Sequence, residues 1–373
     1  MYNKIRGILN EVHIADIHFG AMSAKKQYDI LKEQFIDKII QIPKIDIISI
    51  NGDLFDHKVM SNSDATMYAS LFVANLVDIC KTKDSTLVLL AGTYSHDYDQ
   101  LKIFYHYLND PDIDIRIVTT LKFEDIKGAK ILCIPEIYGL DEEEYQRVFF
   151  HTTWYDSAFC HGTFQGAVYG DNVGNGRLLT PEDFIYCNGP AISGHVHKPG
   201  CFSGFYYYCG CPYRWKFGEE EDKGFLLLSH DLDTGRHYVH FEKIQSDVYK
   251  TIFLDELISN DPKEIIDYIS KLKADQGIDF IKVKFRTQVP SESKVILNNY
   301  YRNNSYAFIE FLNDVELKRE SLSEESLNKL EEYNYLIDPN VSDFERFVRY
   351  VNDSEGEKLL SVESLKEILS ENF

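Results

Sequence analysis

No apolar run in the chain approaches the eighteen or so residues of a membrane span, so no spanning helix is expected. Met1 to Gly7 carries no apolar stretch of the signal-peptide kind. The cysteines number seven, an odd count without framework spacing, which argues against a disulfide scaffold and for a reducing compartment. Cys209-Gly-Cys211 is not the Cys-x-x-Cys spacing of a zinc ribbon. The expected location is the cytoplasm, that of the host if the source is viral. Positive charge is scarce as well: 39 Lys and Arg against 60 Asp and Glu leave a net charge of −21. Residues 311 to 373 alone hold 16 acidic and 7 basic side chains. That balance is awkward for a nucleic-acid binder acting alone. A polyanionic substrate would have to be held by a metal centre, by local basic residues or by a partner.

What is present is a large apolar inventory. Hydrophobic residues make up 44% of the 373, with 25 Tyr and 24 Phe, enough for one large core and a smaller second unit. Residues 6–14 read as a strand, 25–40 as a helix, and 45–50 as an apolar strand of the kind buried on both faces. A helix over 63–81, a strand over 86–91 and a helix over 98–108 follow. Further strands are expected at 113–118, 130–134, 157–160 and 191–193. The alternation of strand and helix predicts an α/β fold.

Five of these strands stop at a polar signature. The first ends in Asp16-Ile17-His18, the second in Gly52-Asp53, the third in the segment Gly92 to Asp97. The later two end in His161-Gly162 and in Gly194-His195-Val196-His197. Ligands of α/β sheets bind beyond the carboxyl ends of the strands, so polar residues gathered there converge on one site. Asp16, His18, Asp53, His161, His195 and His197 make a mixed oxygen and nitrogen set, with too many members for one tetrahedral zinc. It suits two divalent ions about 3.5–4 Å apart with a bridging carboxylate, for which Asp53 is the choice. Mixed imidazole and carboxylate ligation tolerates manganese, iron or zinc without choosing among them. Two divalent ions are the expected cofactors, manganese first, then magnesium, iron or zinc.

In that order, Asp-x-His, Gly-Asp, Gly…His-Asp, His-Gly and Gly-His-x-His resemble the calcineurin-like metallophosphoesterases. The resemblance implies a sandwich of two central β-sheets flanked by helices. The segments Gly52-Asp-Leu-Phe-Asp56 and Pro212 to Phe225 are similar to those of the SbcD-type nuclease subunits of SbcC–SbcD complexes. Carried over, the family pattern places Asp16, His18 and His197 on the first metal, Asp53 between the two, and His161 and His195 on the second. It makes His96 the catalytic histidine and Asp97 the carboxylate that orients it.

One segment departs from the pattern. The family's Gly-Asn-His-Asp or Glu is here Gly92-Thr-Tyr-Ser-His-Asp97, two residues longer and without the Asn that ligates the second metal. Ser95 is the expected substitute, with Thr93 or water as alternatives, and a hydroxyl there predicts a weaker second metal step. Arg214 and Lys216 are candidate phosphate contacts, and His57 either lines the substrate groove or sits on an exposed turn. Tyr206, Tyr207, Tyr208, Tyr213 and Trp215 are expected to pack in the core, with base stacking the alternative. Gly170 to Gly176 reads as a loop near the site.

Residues 1–245 are expected to form the phosphoesterase domain, and 246–338 a smaller α/β capping domain with strand 280–286 carrying Lys282, Lys284 and Arg286. Residues 339–373 are expected to form two amphipathic helices. The resemblance implies that the cap helps select DNA, that the terminal helices bind the coiled coil of an SbcC-like ATPase, and that the chain is a homodimer. The function implied is a metal-dependent DNA nuclease, acting as an exonuclease and in a second mode as an endonuclease. A phosphoesterase for small substrates and a catalytically weakened scaffold subunit are the alternatives.

Overall fold

The computed structural model describes residues 6–136, 143, 145, 147, 149, 154–167 and 177–311. The glycine-rich loop at 170–176 and the helices expected at 339–373 lie outside those residues. The chain divides into two compact units, Met1–Thr251 with Ser270–Lys282, and Ile252–Ile269 with Val283–Phe373.

Among the described residues, twelve strands lie wholly within the first unit. They are β1 (Ile8–Ile14), β2 (Ile47–Asn51), β3 (Thr86–Leu90), β4 (Ile115–Val118), β5 (Lys122–Ile126) and β6 (Ala129–Ile134). The remainder are β7 (Ser157–His161), β8 (Ala191–Gly194), β9 (Gly200–Phe202), β10 (Tyr206–Tyr208), β11 (Lys223–Asp231) and β12 (His237–Ile244). One six-stranded sheet runs β12-β11-β1-β2-β3-β4 and the other β5-β6-β7-β8-β10-β9. In the first sheet β1 to β4 pair in parallel, and β11 and β12 join through antiparallel pairing; in the second, β6, β7, β8 and β10 pair in parallel and the edges β5 and β9 antiparallel. All five residues of β2, β3 and β7 are buried, as expected of strands covered on both faces.

Side-chain alternation sorts neighbours into separate layers. Ile47 faces the space between the sheets with Leu9, Val88, Ile131, Cys133 and Phe159. Ile48, one residue on, joins the outer layer with Leu31, Phe35, Phe72 and Leu76. Those helical residues come from α1 (Ala24–Leu31), a π turn (Lys32–Ile36) and α3 (Asp64–Lys83), and α2 (Asp37–Ile40) adds Ile39 to the same layer. Burying a side chain such as Phe72 stabilises the layer by ~1.5–3 kcal/mol. The single helix expected over 25–40 is therefore interrupted by a π segment. Ser63 caps α3 by accepting from the Thr66 N–H, and Asp84 ends it in the left-handed conformation. The helix expected over 98–108 is wound as 3₁₀, Tyr98–Asn109, with no side-chain cap. The natural capping residue, Asp97, has its carboxylate committed to other backbone groups.

The architecture is an α/β sandwich of two mixed sheets flanked by helices, as expected. Three further strands, β13 (Tyr249–Leu254), β14 (Phe280–Phe285) and β15 (Ala307–Phe311), pair in that order. Two helices, α4 (Pro262–Asp275) and α5 (Ser291–Arg302), belong to the same part of the chain. Ile281, Val283 and Phe285 alternate inward on β14. Lys284 pairs with Glu310 at 2.9 Å, and the Arg286 guanidinium lies 3.8 Å from the centroid of Phe253. Among the described residues, no helix is long and apolar enough to cross a membrane.

Candidate metal centre

The site forms where β1, β2, β3, β6, β7 and β8 end. The β1–β2 ladder continues past both strands: Asp16 N–H donates to Gly52 O at 3.1 Å, and His18 N–H to Asp53 O at 3.0 Å. To turn their side chains inward, the backbone enters the left-handed region at Asp16 (φ 53), His18 (φ 51), Asp53 (φ 52) and His195 (φ 84). Asp and His tolerate this conformation better than most residues, but each instance costs on the order of 1 kcal/mol or more. Such strain concentrates where function needs it, and four of the seven non-glycine residues with positive φ among the described ones are here.

Glycines let the strand ends approach. A Cβ on Gly92 would stand 2.1 Å from Asp53 Oδ1 and 2.2 Å from its backbone N. On Gly52, whose φ is +86, it would stand 2.1 Å from His161 Nδ1.

Six side chains expected at the site are brought together there. Asp16, His18 and His197 offer ligand atoms within 4.8 Å of one another, and so do Asp16, Asp53 and His161. His18 Nε2 lies 3.1 Å from His197 Nε2 and 3.7 Å from Asp53 Oδ2. His161 Nε2 lies 3.3 Å from the same Asp53 oxygen, so Asp53 stands between the two groups. Asp16 Oδ1 accepts from the His195 N–H at 2.8 Å, whereas its Oδ2 is buried without a hydrogen-bond partner. Two imidazole nitrogens aimed at each other and an orphaned buried carboxylate oxygen are what a divalent cation would satisfy. The donor set fits metal ions: Asp16, His18, Asp53 and His197 would hold one, and Asp53, His161 and His195 a second.

The carboxylates and imidazoles of that donor set shift one another's protons. Burial pushes Asp53 up, but His161, with hydrogen bonds from His161 and His96 and the charge of His18, holds it well below the usual carboxylate range. Burial works to lower His161, yet Asp53, then Asp16 and Glu136, raise it to about 10. His195 is depressed to about 4, by burial and then by His161. Burial keeps His18 well below its ordinary value. His18 and His195 are thus neutral imidazoles at pH 7, the form that ligates.

Other expected residues sit differently. His96 Nδ1 is 2.9 Å from Asp53 Oδ2, and its side chain keeps 27% of its surface open to solvent. Burial opposes its proton, but the Asp53 hydrogen bond and the charges of Asp53, Asp56 and Asp97 raise its pKa. Asp97 does not accept from the His96 ring. Its carboxylate takes the backbone N–H groups of Phe55 at 3.1 Å and Gly92 at 2.8 Å, so it braces the turns rather than the imidazole. Ser95 is exposed. The hydroxyl at the site is that of Thr93, 3.2 Å from Asp53 Oδ2 and 3.4 Å from His161 Nε2. Thr93 N–H donates to Asp53 Oδ1 at 2.6 Å, which fixes the register of the longer loop.

His57 is exposed, its Nδ1 3.0 Å from Asp56. Arg214 donates to the carbonyls of Glu220, at 3.2 Å, and Glu221, at 2.7 Å, so its guanidinium supports the loop instead of facing the centre. Lys216 is half exposed, 3.7 Å from Glu219 and 5.5 Å from the centroid of Trp215. Tyr206, Tyr208 and Tyr213 are fully buried core residues. Trp215 instead flanks the centre, its ring centroid 5.1 Å from those of His18 and His197.

Four contributors carried no sequence signal. Glu219 accepts from His197 Nδ1 at 2.8 Å and turns Nε2 toward the site, while buried Lys223 donates to His197 O at 3.0 Å. Asn51 staples the sheets: its carbonyl accepts from His161 Nδ1 at 2.8 Å and its amide donates to Ile192 O at 3.1 Å. Glu136, just past β6, groups with His161 and His195.

No curated protein matches the chain. Among solved structures, one crystal structure covers 63% of this chain and 99% of its own at 10% identity, with a TM-score of 0.38. A protein of unknown function from Aquifex aeolicus covers 48% of this chain and 94% of its own at 16% identity, with a TM-score of 0.22. The calcineurin-like phosphoesterase family matches over residues 12–199, a span that runs from β1 through His197 and holds all six of the clustered Asp and His residues. The chain therefore belongs to the calcineurin-like phosphoesterases, enzymes whose chemistry depends on divalent metals.

Proposed function

We propose that the chain is a metal-dependent DNA nuclease, the nuclease subunit of an SbcC–SbcD-type complex. The observation that carries this reading is the segment from Pro212 to Phe225, folded beside the first cation group. Trp215 offers an aromatic surface next to His18 and His197, with the Lys216 ammonium beside it. An aromatic face and a cation next to a phosphoester site suit a nucleotide, whose base stacks while its phosphate is held.

Two bound cations would supply charge neutralisation and a water acidic enough to act as hydroxide near neutral pH. The chain supplies the rest. Asp16, His18, His197, Asp53, His161 and His195 hold the cations. Glu219 and Asn51 keep His197 and His161 in the tautomers whose Nε2 faces inward. His96, open to solvent and biased toward its protonated form, gives a proton to the departing oxygen.

The net charge of −21 leaves DNA capture to a partner, for which an ATPase coiled coil bound by residues 340–373 is the proposal. Manganese, a homodimer and a cytoplasmic setting belong to the same reading. The test is cleavage of labelled duplex and single-stranded DNA with manganese, with and without the ATPase, beside bis-p-nitrophenyl phosphate. DNA cleavage that fails in Trp215→Ala through a raised KM supports the reading. Hydrolysis of the small ester alone overturns it in favour of a small-substrate phosphoesterase, and no hydrolysis with metal bound points to a scaffold. Deletion of 340–373 is expected to abolish co-purification with the ATPase.

A further inference from the structure

Glu136 lies two residues beyond the end of β6, beside the ends of β7 and β8. Its side chain is 4% exposed, and its Oε2 is buried without a hydrogen-bond partner. Among the described residues its ion-pair neighbour is His195, whose Nδ1 is 3.8 Å away, beyond hydrogen-bond reach. A carboxylate oxygen withdrawn from water without a donor is costly unless a positive charge neutralises it. Glu136, His161 and His195 offer ligand atoms within 4.8 Å of one another, and Asp53 Oδ2 lies 3.3 Å from His161 Nε2.

We propose that Glu136 is a cation ligand of the second site, completing with Asp53, His161 and His195 a set of two carboxylates and two imidazoles. The proposal rests on the phosphoesterase reading of the centre and deepens it. Thr93, the other oxygen nearby, is already hydrogen-bonded to Asp53. Ser95 is exposed and is not required. Two consequences follow. The second site is not the weak one that a hydroxyl ligand would make, because a charged oxygen holds a divalent cation more firmly than a neutral one. The pair of cations is also met by three carboxylates, Asp16, Asp53 and Glu136, beside four imidazoles, which moves the set toward manganese compared with one of two carboxylates.

The experiment is calorimetric titration of the metal-free full chain with manganese chloride alone, checked by elemental analysis. Wild type, Glu136→Gln, Ser95→Ala and His161→Asn are compared. Wild type is expected to bind two ions and Ser95→Ala to match it. His161→Asn should lose one ion, and Glu136→Gln should keep the first step with the second weakened at least tenfold. Melting gives a reading that does not depend on the titration. In EDTA, Glu136→Gln should melt at or above wild type, because a buried carboxylate oxygen without a donor is gone, and manganese should raise its melting temperature less. Two wild-type-like steps in Glu136→Gln, or a lower melt in EDTA with the full gain from manganese, overturn the proposal while the centre stands. If wild type takes up no manganese, or His161→Asn still binds two ions tightly, the reading of the centre fails and the proposal with it.

Discussion

Glu219 Oε1 lies 2.8 Å from His197 Nδ1, and the opposite nitrogen of that ring faces His18 Nε2 at 3.1 Å. A carboxylate from the acidic stretch 219–222 thereby sets the orientation of a histidine 22 residues earlier. Without it, the ring could present either nitrogen to the centre. The same carboxylate stands 3.7 Å from the buried Lys223 ammonium, so the contact is part of a small charged network under the site.

Glu219→Gln tests this network. Burial pushes the Glu219 carboxyl up, but the His197 hydrogen bond and the charge of Lys223 outweigh it and hold the pKa below the ordinary value. A depressed carboxyl adds stability above its unfolded pKa of roughly 4.3 and loses it as pH falls through the folded value. Urea denaturation in EDTA at pH 7 should find the variant less stable by about 1–3 kcal/mol. The gap should shrink once pH drops below about 4. Manganese affinity should fall by ~10–100-fold. A stability gap unchanged from pH 7 to the acid limb would refute the assignment.

Gly92→Ala tests the packing of the strand ends. The added methyl would meet Asp53 Oδ1 and N at close to 2 Å, and neither is a flexible chain end. A loss of about 3 kcal/mol or more is expected, with loss of manganese binding, since either Asp53 or the β3 turn must move. Gly162→Ala is the control: its methyl would find only Leu179 Cδ1 at 3.7 Å, so stability should stay within ~1 kcal/mol of wild type. Equal melting temperatures for the two variants would show that the close approach at Gly92 is dispensable.

Much of this was legible in the sequence because a doubly covered parallel strand is a short unbroken apolar run, and its end is marked by the first Asp, His or Gly. Asp16, Asp53, His161 and His195 were readable on that basis, whereas the sandwich followed from the resemblance of the motif order to the phosphoesterases. Glu219 was not, since an acidic run looks the same whether one member is buried or all are solvated. Only Glu219 of the four is buried; Glu221 is partly so, and Glu220 is exposed. Glu136 follows a proline with no motif around it, and only the parallel pairing of β6 with β7 brings it to His161. The lengthened loop after β3 left Thr93 and Ser95 equivalent by alignment. The Thr93 N–H bond to Asp53 decides between them, and that is a tertiary contact. Asp97 next to His96 suggested a pair, but adjacent residues in a turn diverge, and the unpaired N–H groups of Gly92 and Phe55 claim the carboxylate.

His96→Ala separates proton transfer from metal binding. The ring touches Asp53 but is the most solvent-open of the clustered histidines, at 27% compared with 13% for His195, 10% for His197, 2% for His18 and 0% for His161. Manganese-dependent hydrolysis of a phosphodiester should fall ~10²–10⁴-fold. Manganese stoichiometry by calorimetry should stay as in wild type. Loss of one bound ion would make His96 a ligand and remove it as proton donor.

Thiol reactivity checks the burial of the two sheets without reference to the metal. Cys201 is the exposed cysteine, on β9 at the edge of the second sheet. Burial pushes the thiols of Cys80, Cys133 and Cys187 up to about 12, and those of Cys160, Cys209 and Cys211 well above their ordinary value. Because the thiolate is the nucleophile, a thiol with a pKa near 12 is only about 10⁻⁴ ionised at pH 8 and reacts correspondingly slowly even where solvent reaches it. Ellman's reagent should therefore titrate one thiol quickly in the native protein and all seven in guanidinium. Cys187, only partly buried, is the sensitive case. A second fast thiol that disappears in Cys187→Ser would mean that the edge of the second core opens, and that burial there is weaker than the packing of Tyr155 and Phe184 around it implies.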